Sequence, residues 1–293
     1  MSVGLLLTLF GCVEQGFTAV ELDAIAVVNG DFDDLGGVLL RGDVGFQPFN
    51  GYISASTTWV GEDRPSREDP GRTVEELFTA PVEDLSRFEI DKFQAVFINS
   101  GTRGLNAFEY NRTLEPDDAL LLDETAMDNA CAFPEGGGSL FVTDWAYDIV
   151  ESCWPDKITF ANDDTIVDNA QVGVAGDLLV DVVDEELQET LDSAVVSLSL
   201  NYSAFAVMKD VSDDVEVLLS GDVVYQPLEG GDYEVFKGVP LAVRIPIGQN
   251  GQVFYSSFHL HPQTPALSEA LLFRGMVGLE RGAGDQSEEA LDE

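Results

Sequence analysis

The sequence predicts an α/β fold with a mostly parallel central sheet and extra antiparallel strands in the C-terminal half, on three observations. Residues 24–29 (AIAVVN), 94–99 (QAVFIN) and 139–143 (SLFVT) are continuous apolar runs, the pattern of strands buried on both faces. Each stops in a turn built from Gly, Asp, Ser or Thr. Strand, turn and helical sequence then recur three times, which implies βαβ units with right-handed crossovers.

The elements follow in order. The first strand ends in Gly30-Asp31-Phe32-Asp33-Asp34, where Gly permits a tight turn and Asp can cap the helix that follows. Residues 61–71 are polar and carry Pro65 and Pro70, so they form a surface loop, and a short helix covers 74–78. The second strand stops in Ser100-Gly101-Thr102-Arg103-Gly104. A helix covers 117–133, Gly136-Gly137-Gly138 lead into the third strand, and a helix from 145 to 153 is ended by Pro155. Beyond Phe160 the strands are shorter and β-branched, at 195–200, 204–208, 215–219, 223–225 and 240–246. Gly251 then precedes a strand at 252–258. A last amphipathic helix at 265–279 returns the chain to the same sheet, so residues 24–279 form a single domain. The acidic tail at 280–293 is expected to be disordered.

Composition narrows the partners. The 293 residues carry 54 Asp and Glu against 14 Lys and Arg, a formal charge of -40. Phosphate recognition needs clustered cations, so nucleic acid is excluded, and an anionic membrane surface would repel the folded body. Such charge keeps an exported protein soluble, and it also suits a saline or calcium-containing medium.

The N-terminus carries the most local information. Residues 3–10 (VGLLLTLF) are apolar but too short to span a bilayer, which takes about 20 residues. Together with Gly11 and Cys12 they resemble a bacterial lipoprotein signal. On that reading residues 1–11 are removed, Cys12 is lipidated, 12–23 form a tether, and the protein is exported and anchored to the bacterial cell envelope, at the outer membrane or periplasmic face. A core element that happens to end in Gly-Cys is the alternative. With Cys12 acylated, Cys131 and Cys153 remain as an even pair. A disulfide between them would require the helices before and after one strand to lie side by side.

In an open parallel sheet the strand C-termini form the ligand crevice. That rim holds Asp31 and Asp33 after the first strand, Asn99, Ser100 and Thr102 after the second, Asp144, Trp145 and Tyr147 after the third, and His259 after the last. Asp144-Trp145-Ala146-Tyr147-Asp148 can be read as a binding wall, with aromatic faces to stack on a ligand and carboxylates to accept hydrogen bonds, but Trp145 and Tyr147 open a helix on which one of them must face the core, so a mixed role is expected, with Trp145 packed and Asp144 at the crevice. Two histidines two apart on a strand, His259 and His261, would share a face and could join carboxylates around zinc. The oxygen-rich segments 31–34 and 162–164 could take calcium, although solvated turns explain them as well. No cofactor is required.

The segments AVFINSGT, FPEGGGSLFVTDWAYD and GQVFYSSFHLHP, taken in order, resemble the class I glutamine amidotransferase-like superfamily, including its trehalose-utilisation-type relatives, across residues 24–279. The resemblance implies a three-layer flavodoxin-like sandwich with a nucleophile at a sharp strand-to-helix elbow and a histidine as its base. Here Asp144 stands at the elbow, no cysteine is near it, and Gln263 occupies the place of an acid after the histidine segment. Glutamine hydrolysis through a thioester has no nucleophile in this chain. Two functions follow as expectations. One is a non-catalytic envelope module that binds an unidentified ligand or protein. The other is a hydrolase or isomerase acting on an exported carbohydrate, with Asp144 and His259 as acid and base.

Overall fold

The computed structural model describes residues 24–30, 32–51, 72–79, 89–102, 124–161, 172–201, 205–226 and 232–276. The expected signal peptide, Cys12, the tether, Asp31, the loop at 61–71 and the acidic tail lie outside them. In chain order the elements are β1 (Ile25–Val28), α1 (Leu35–Arg41), β2 (Gln47–Phe49), α2 (Val74–Thr79), β3 (Ala95–Ile98), α3 (Glu124–Glu135), β4 (Ser139–Thr143) and α4 (Asp148–Cys153). They continue as β5 (Ile158–Phe160), β6 (Val172–Gly173), β7 (Gly176–Val182), α5 (Glu185–Leu191), β8 (Val195–Leu200), β9 (Met208–Val211), β10 (Glu216–Gln226), β11 (Glu234–Ile247), β12 (Gly251–Ser256) and α6 (Pro265–Met276).

One sheet runs in the order β2-β1-β3-β4-β12-β11-β10-β7-β8, with β6 paired to β10, while β5 and β9 form a separate pair. From β2 to β12 the neighbours are parallel, and from β12 onward they are antiparallel. Every residue of β1, β3, β4 and β12 is buried, which is why their sequences lack alternation. Alternate side chains feed two cores. Val28, Ile98 and Val142 meet α2, α3 and α4, whereas Val27, Phe97 and Phe141 meet α1, α5 and α6. Phe141 stacks between Phe97 and Phe254, with ring centroids 4.2 and 5.4 Å apart, and these contacts carry the second core across three strands.

Two glycines set the geometry around the site. Gly137, at φ 98°, makes the turn that feeds β4, a conformation ordinary side chains rarely adopt. Gly30 follows β1 where a Cβ would stand 2.1 Å from the Ser100 carbonyl oxygen, so only glycine lets the tips of β1 and β3 close together.

Several elements differ from the sequence reading, each for a physical reason. The expected strands at 215–219 and 223–225 are one strand, β10, because Gly221 fits against Val180 instead of breaking the chain. A strand at 204–208 is replaced by β9 further on, since the Ala206 N–H is donated to Asp144. The sequence did not mark β7, whose exposed Asp177 and Asp181 interrupt its apolar pattern, nor the short α5, although Asp184 caps it by accepting from the Leu187 N–H. Arg274 of α6 then grips the same Asp184 with two hydrogen bonds of 2.8 Å and joins the two helices. Cys131 of α3 and Cys153 of α4 are disulfide-bonded, so these helices do lie side by side.

Candidate functional site

The strand tips place four segments around one point. β4 ends at Thr143, and Asp144 turns the chain at φ 43°, in the left-handed region, before a single 3-10 turn leads into α4. Asp is one of the few residues that visits this region readily. The bend directs a side chain from the tip of a central strand toward the end of its parallel neighbour β12, where the chain leaves the sheet at Ser256 and passes through His259.

Asp144 and His259 meet there. Nε2 of His259 stands 3.1 Å from Oδ2 of Asp144, and its Nδ1 stands 3.1 Å from Oδ1 of Asn201, just beyond β8. Asp144 is fully buried. Its Oδ1 accepts the Ala206 N–H at 2.9 Å, Ser100 Oγ lies 3.5 Å from Oδ2, and Tyr255 donates its hydroxyl to the Asp144 carbonyl at 3.1 Å. Burial pushes the Asp144 carboxyl above its ordinary range, while His259 and the Ala206 amide pull it back. For His259, burial opposes the charged ring, but the hydrogen bond and charge of Asp144, with Asp33 adding to them, raise the pKa above the ordinary value. Burial alone would favour a neutral acid and imidazole. The contacts favour the ion pair, because donors reach both carboxylate oxygens and oxygen acceptors face both ring nitrogens. Burial, then the charge of Asp144, hold the Tyr255 phenol well above its usual range, so it remains a neutral donor.

Side chains expected to bind a ligand are largely committed elsewhere. Asp33 is buried and accepts the N–H groups of Leu260 and His261, each at 3.1 Å, which pins the histidine turn to the loop after β1. Asn99 accepts the Leu35 N–H at 2.9 Å and secures the start of α1, while its Nδ2 has no hydrogen-bond partner among the described residues. The Thr102 hydroxyl donates to the Asn99 carbonyl at 2.7 Å and closes its own turn. The Ser100 N–H donates to Thr143 Oγ1 at 3.0 Å, so the turns after β3 and β4 are joined directly. Trp145 is packed in the core, and Tyr147 is corrected from wall to core: both are buried, and Tyr147 packs on Phe160 with ring centroids 4.8 Å apart.

The histidines are also rearranged. His259 follows the central strand β12 and lies on a turn where the two-residue strand period no longer holds. It is buried, whereas His261 is half exposed with Nδ1 3.6 Å from Asp34, so the two share no face. Among the described residues no group of three or more His, Cys, Asp or Glu is placed to hold a metal ion. Asp31 and the segment 162–164 lie outside them.

Sequence reasoning missed Asn201 and Gln263 as partners of the histidine turn. Gln263 Nε2 donates to the carbonyls of His259 and Ser199 at 2.7 and 2.8 Å, and its Oε1 accepts the Ser199 N–H at 3.0 Å. Only its place after the histidine segment marked it. A small cleft, about 180 Å³ including the space at its mouth, opens beside the pair and is lined by Asp144, Leu200, Asn201, Phe205, Ser257, Phe258 and His259.

The fold and the site define an open α/β sheet with a strand-tip elbow faced by a histidine. No family model and no curated protein matches the chain. Among solved structures it is similar to PurLQS from Thermotoga maritima, at 13% identity and a TM-score of 0.45 over 88% of this chain and 98% of that one. It is similar to a GMP synthase component from Thermoplasma acidophilum, at 9% identity and 0.46 over 89% and 97%. A glutamine amidotransferase from Thermotoga maritima gives 8% identity and 0.45 over 91% and 87%.

Proposed function

We propose that this chain is an exported, lipid-anchored amidotransferase-like domain in which the nucleophile's place has become a structural ion pair, and that it serves the cell envelope as a binding module. The observation that carries the reading is Asp144. It sits at the elbow, fully buried, with protein donors at both carboxylate oxygens, so it offers a substrate no thiol and a carboxylate already engaged by the protein. Helices packed against both faces of the sheet fit the three-layer flavodoxin-like sandwich that the motif resemblance implies. The Cys131–Cys153 disulfide fits an oxidising compartment.

A second reading keeps chemistry at the same point. The convergence of Asp144 and His259 beside a cleft is what an acid-base pair acting on an exported carbohydrate would need. Ammonia release from glutamine and sugar release from a glycoside panel separate the cases. The module reading expects neither activity above background. Sugar release abolished by His259→Ala, in a variant that still folds, establishes the second reading. Mass spectrometry of native membrane-fractionated protein tests the anchor: the mature chain should begin at acylated Cys12, and an unmodified Met1 refutes cleavage.

A further inference from the structure

Exposed apolar side chains gather on one part of the sheet. Leu179 of β7 is 77% exposed, Val235 of β11 54%, Val195 of β8 46% and Val224 of β10 36%. Their chain neighbours, among them Val180, Val223 and Tyr225, point into the core beneath α1, α5 and α6. Strand alternation therefore turns all four to the opposite, open face. Val224 stands directly opposite Val235, and Leu179 opposite Ser197. A solvated sheet face is ordinarily polar, so exposed apolar side chains on this one run against the character of a chain with 54 acidic residues, although Val195 stands opposite Asp181.

The adjacent sheet edge is clipped at both ends. Ser193 Oγ donates to the Val195 carbonyl at 2.6 Å and accepts its N–H at 3.3 Å, and the Gln263 carboxamide occupies both backbone groups of Ser199. A partner meets side-chain clips at both ends of β8, so it lies across the face and not alongside as a further strand. Charge then selects the partner. Asp177, Asp181 and Asp222 are exposed among the apolar positions. A second copy would bring like charges together, and phosphate-bearing surfaces would be repelled. We infer that the open face of β7, β8, β10 and β11 docks a cationic protein surface, one with apolar side chains ringed by Lys or Arg. The inference rests on the reading of the chain as a binding module but uses no residue of the elbow, so activity at Asp144 and failure of docking would be seen separately.

The test uses the full chain and a synthetic β-hairpin peptide that alternates valine and lysine on one face, with affinity measured by calorimetry at low and high salt. The wild type should bind, and Leu179→Ser/Val235→Ser should bind at least ~10-fold more weakly with an unchanged melting curve. Leu40→Ser, at an exposed apolar residue on α1, should match the wild type. No binding overturns the inference. So does equal binding by the double variant, which would reduce the attraction to bulk charge. A concentration-dependent dimer dissolved by Leu179→Ser also overturns it, because a second copy would then be the occupant.

Discussion

Nε2 of His259 lies 3.1 Å from Oδ2 of Asp144, and neither side chain is more than 3% exposed. A buried pair of this kind need not add net stability, but removing one member strands the other in a medium that solvates charge poorly. Asp144→Asn isolates that effect, since Asn tolerates the left-handed backbone and its oxygen can still accept the Ala206 N–H. Urea unfolding should show a loss of about 3–5 kcal/mol. A loss below about 1 kcal/mol would mean that the contact contributes little to holding the elbow.

The pair also gives stability a pH dependence with a defined sign. The folded state holds the His259 proton more tightly than the ordinary value of 6.5 implies. That contribution is fully present below about pH 6.5 and is lost as pH rises through the folded pKa. Asp144, raised by burial from 3.8, acts in the same direction at lower pH, because charging it costs stability as pH climbs through its folded value. The difference in urea midpoint between the wild type and His259→Gln should therefore shrink between pH 6 and pH 9, as about one titrating proton is lost. A constant difference across that range would show that folding leaves the His259 pKa unshifted, and a growing one that the folded ring is neutral.

The parallel half of the fold was legible in the sequence because its strands are buried on both faces. AIAVVN, QAVFIN and SLFVT are short, largely apolar and bounded by turn residues, and those turns located Asp33, Asn99, Ser100 and Asp144 at the strand tips. The antiparallel half was less legible. In GDLLVDV the acids of β7 occupy the open face and the side chains beneath them alternate, which reads as a polar stretch in an acidic chain. The site was legible only in part. Local sequence placed Asp144 and His259 on separate tips, but their meeting depends on β12 pairing with β4, a contact across more than a hundred residues that no local pattern encodes. Asn201 was invisible for the same reason. Tyr147 misled because an aromatic residue after a strand tip looks alike whether it faces a crevice or the core.

The disulfide makes a further prediction. Cys131 and Cys153 are 22 residues apart, and closing a loop of that size stabilises a fold by about 3 kcal/mol through the unfolded chain. The loop contains β4 and the elbow, so the bond supports the segment that presents Asp144. Dithiothreitol should lower the urea midpoint of the wild type by the equivalent of that amount. It should leave Cys131→Ser/Cys153→Ser unmoved, and equal sensitivity in both would place the effect of the reductant elsewhere.

Gln263 offers the sharpest test of how the histidine turn is held. Its amide donates to two carbonyls, of His259 and Ser199, and accepts one N–H, so it ties the turn to β8 and hence to Asn201. A carboxylate has the same shape and no donors. Gln263→Glu would keep one hydrogen bond, lose two, and set a buried negative charge against two carbonyl oxygens, at a cost of roughly 2–5 kcal/mol. Protonating the new carboxyl restores one donor, so the variant should recover part of its deficit as pH falls, whereas Gln263→Ala should show no such recovery. The check is a pair of urea titrations at pH 5 and pH 8 on both variants. Equal deficits at the two pH values in Gln263→Glu would mean that the side chain holds the turn by its shape and not by its donors.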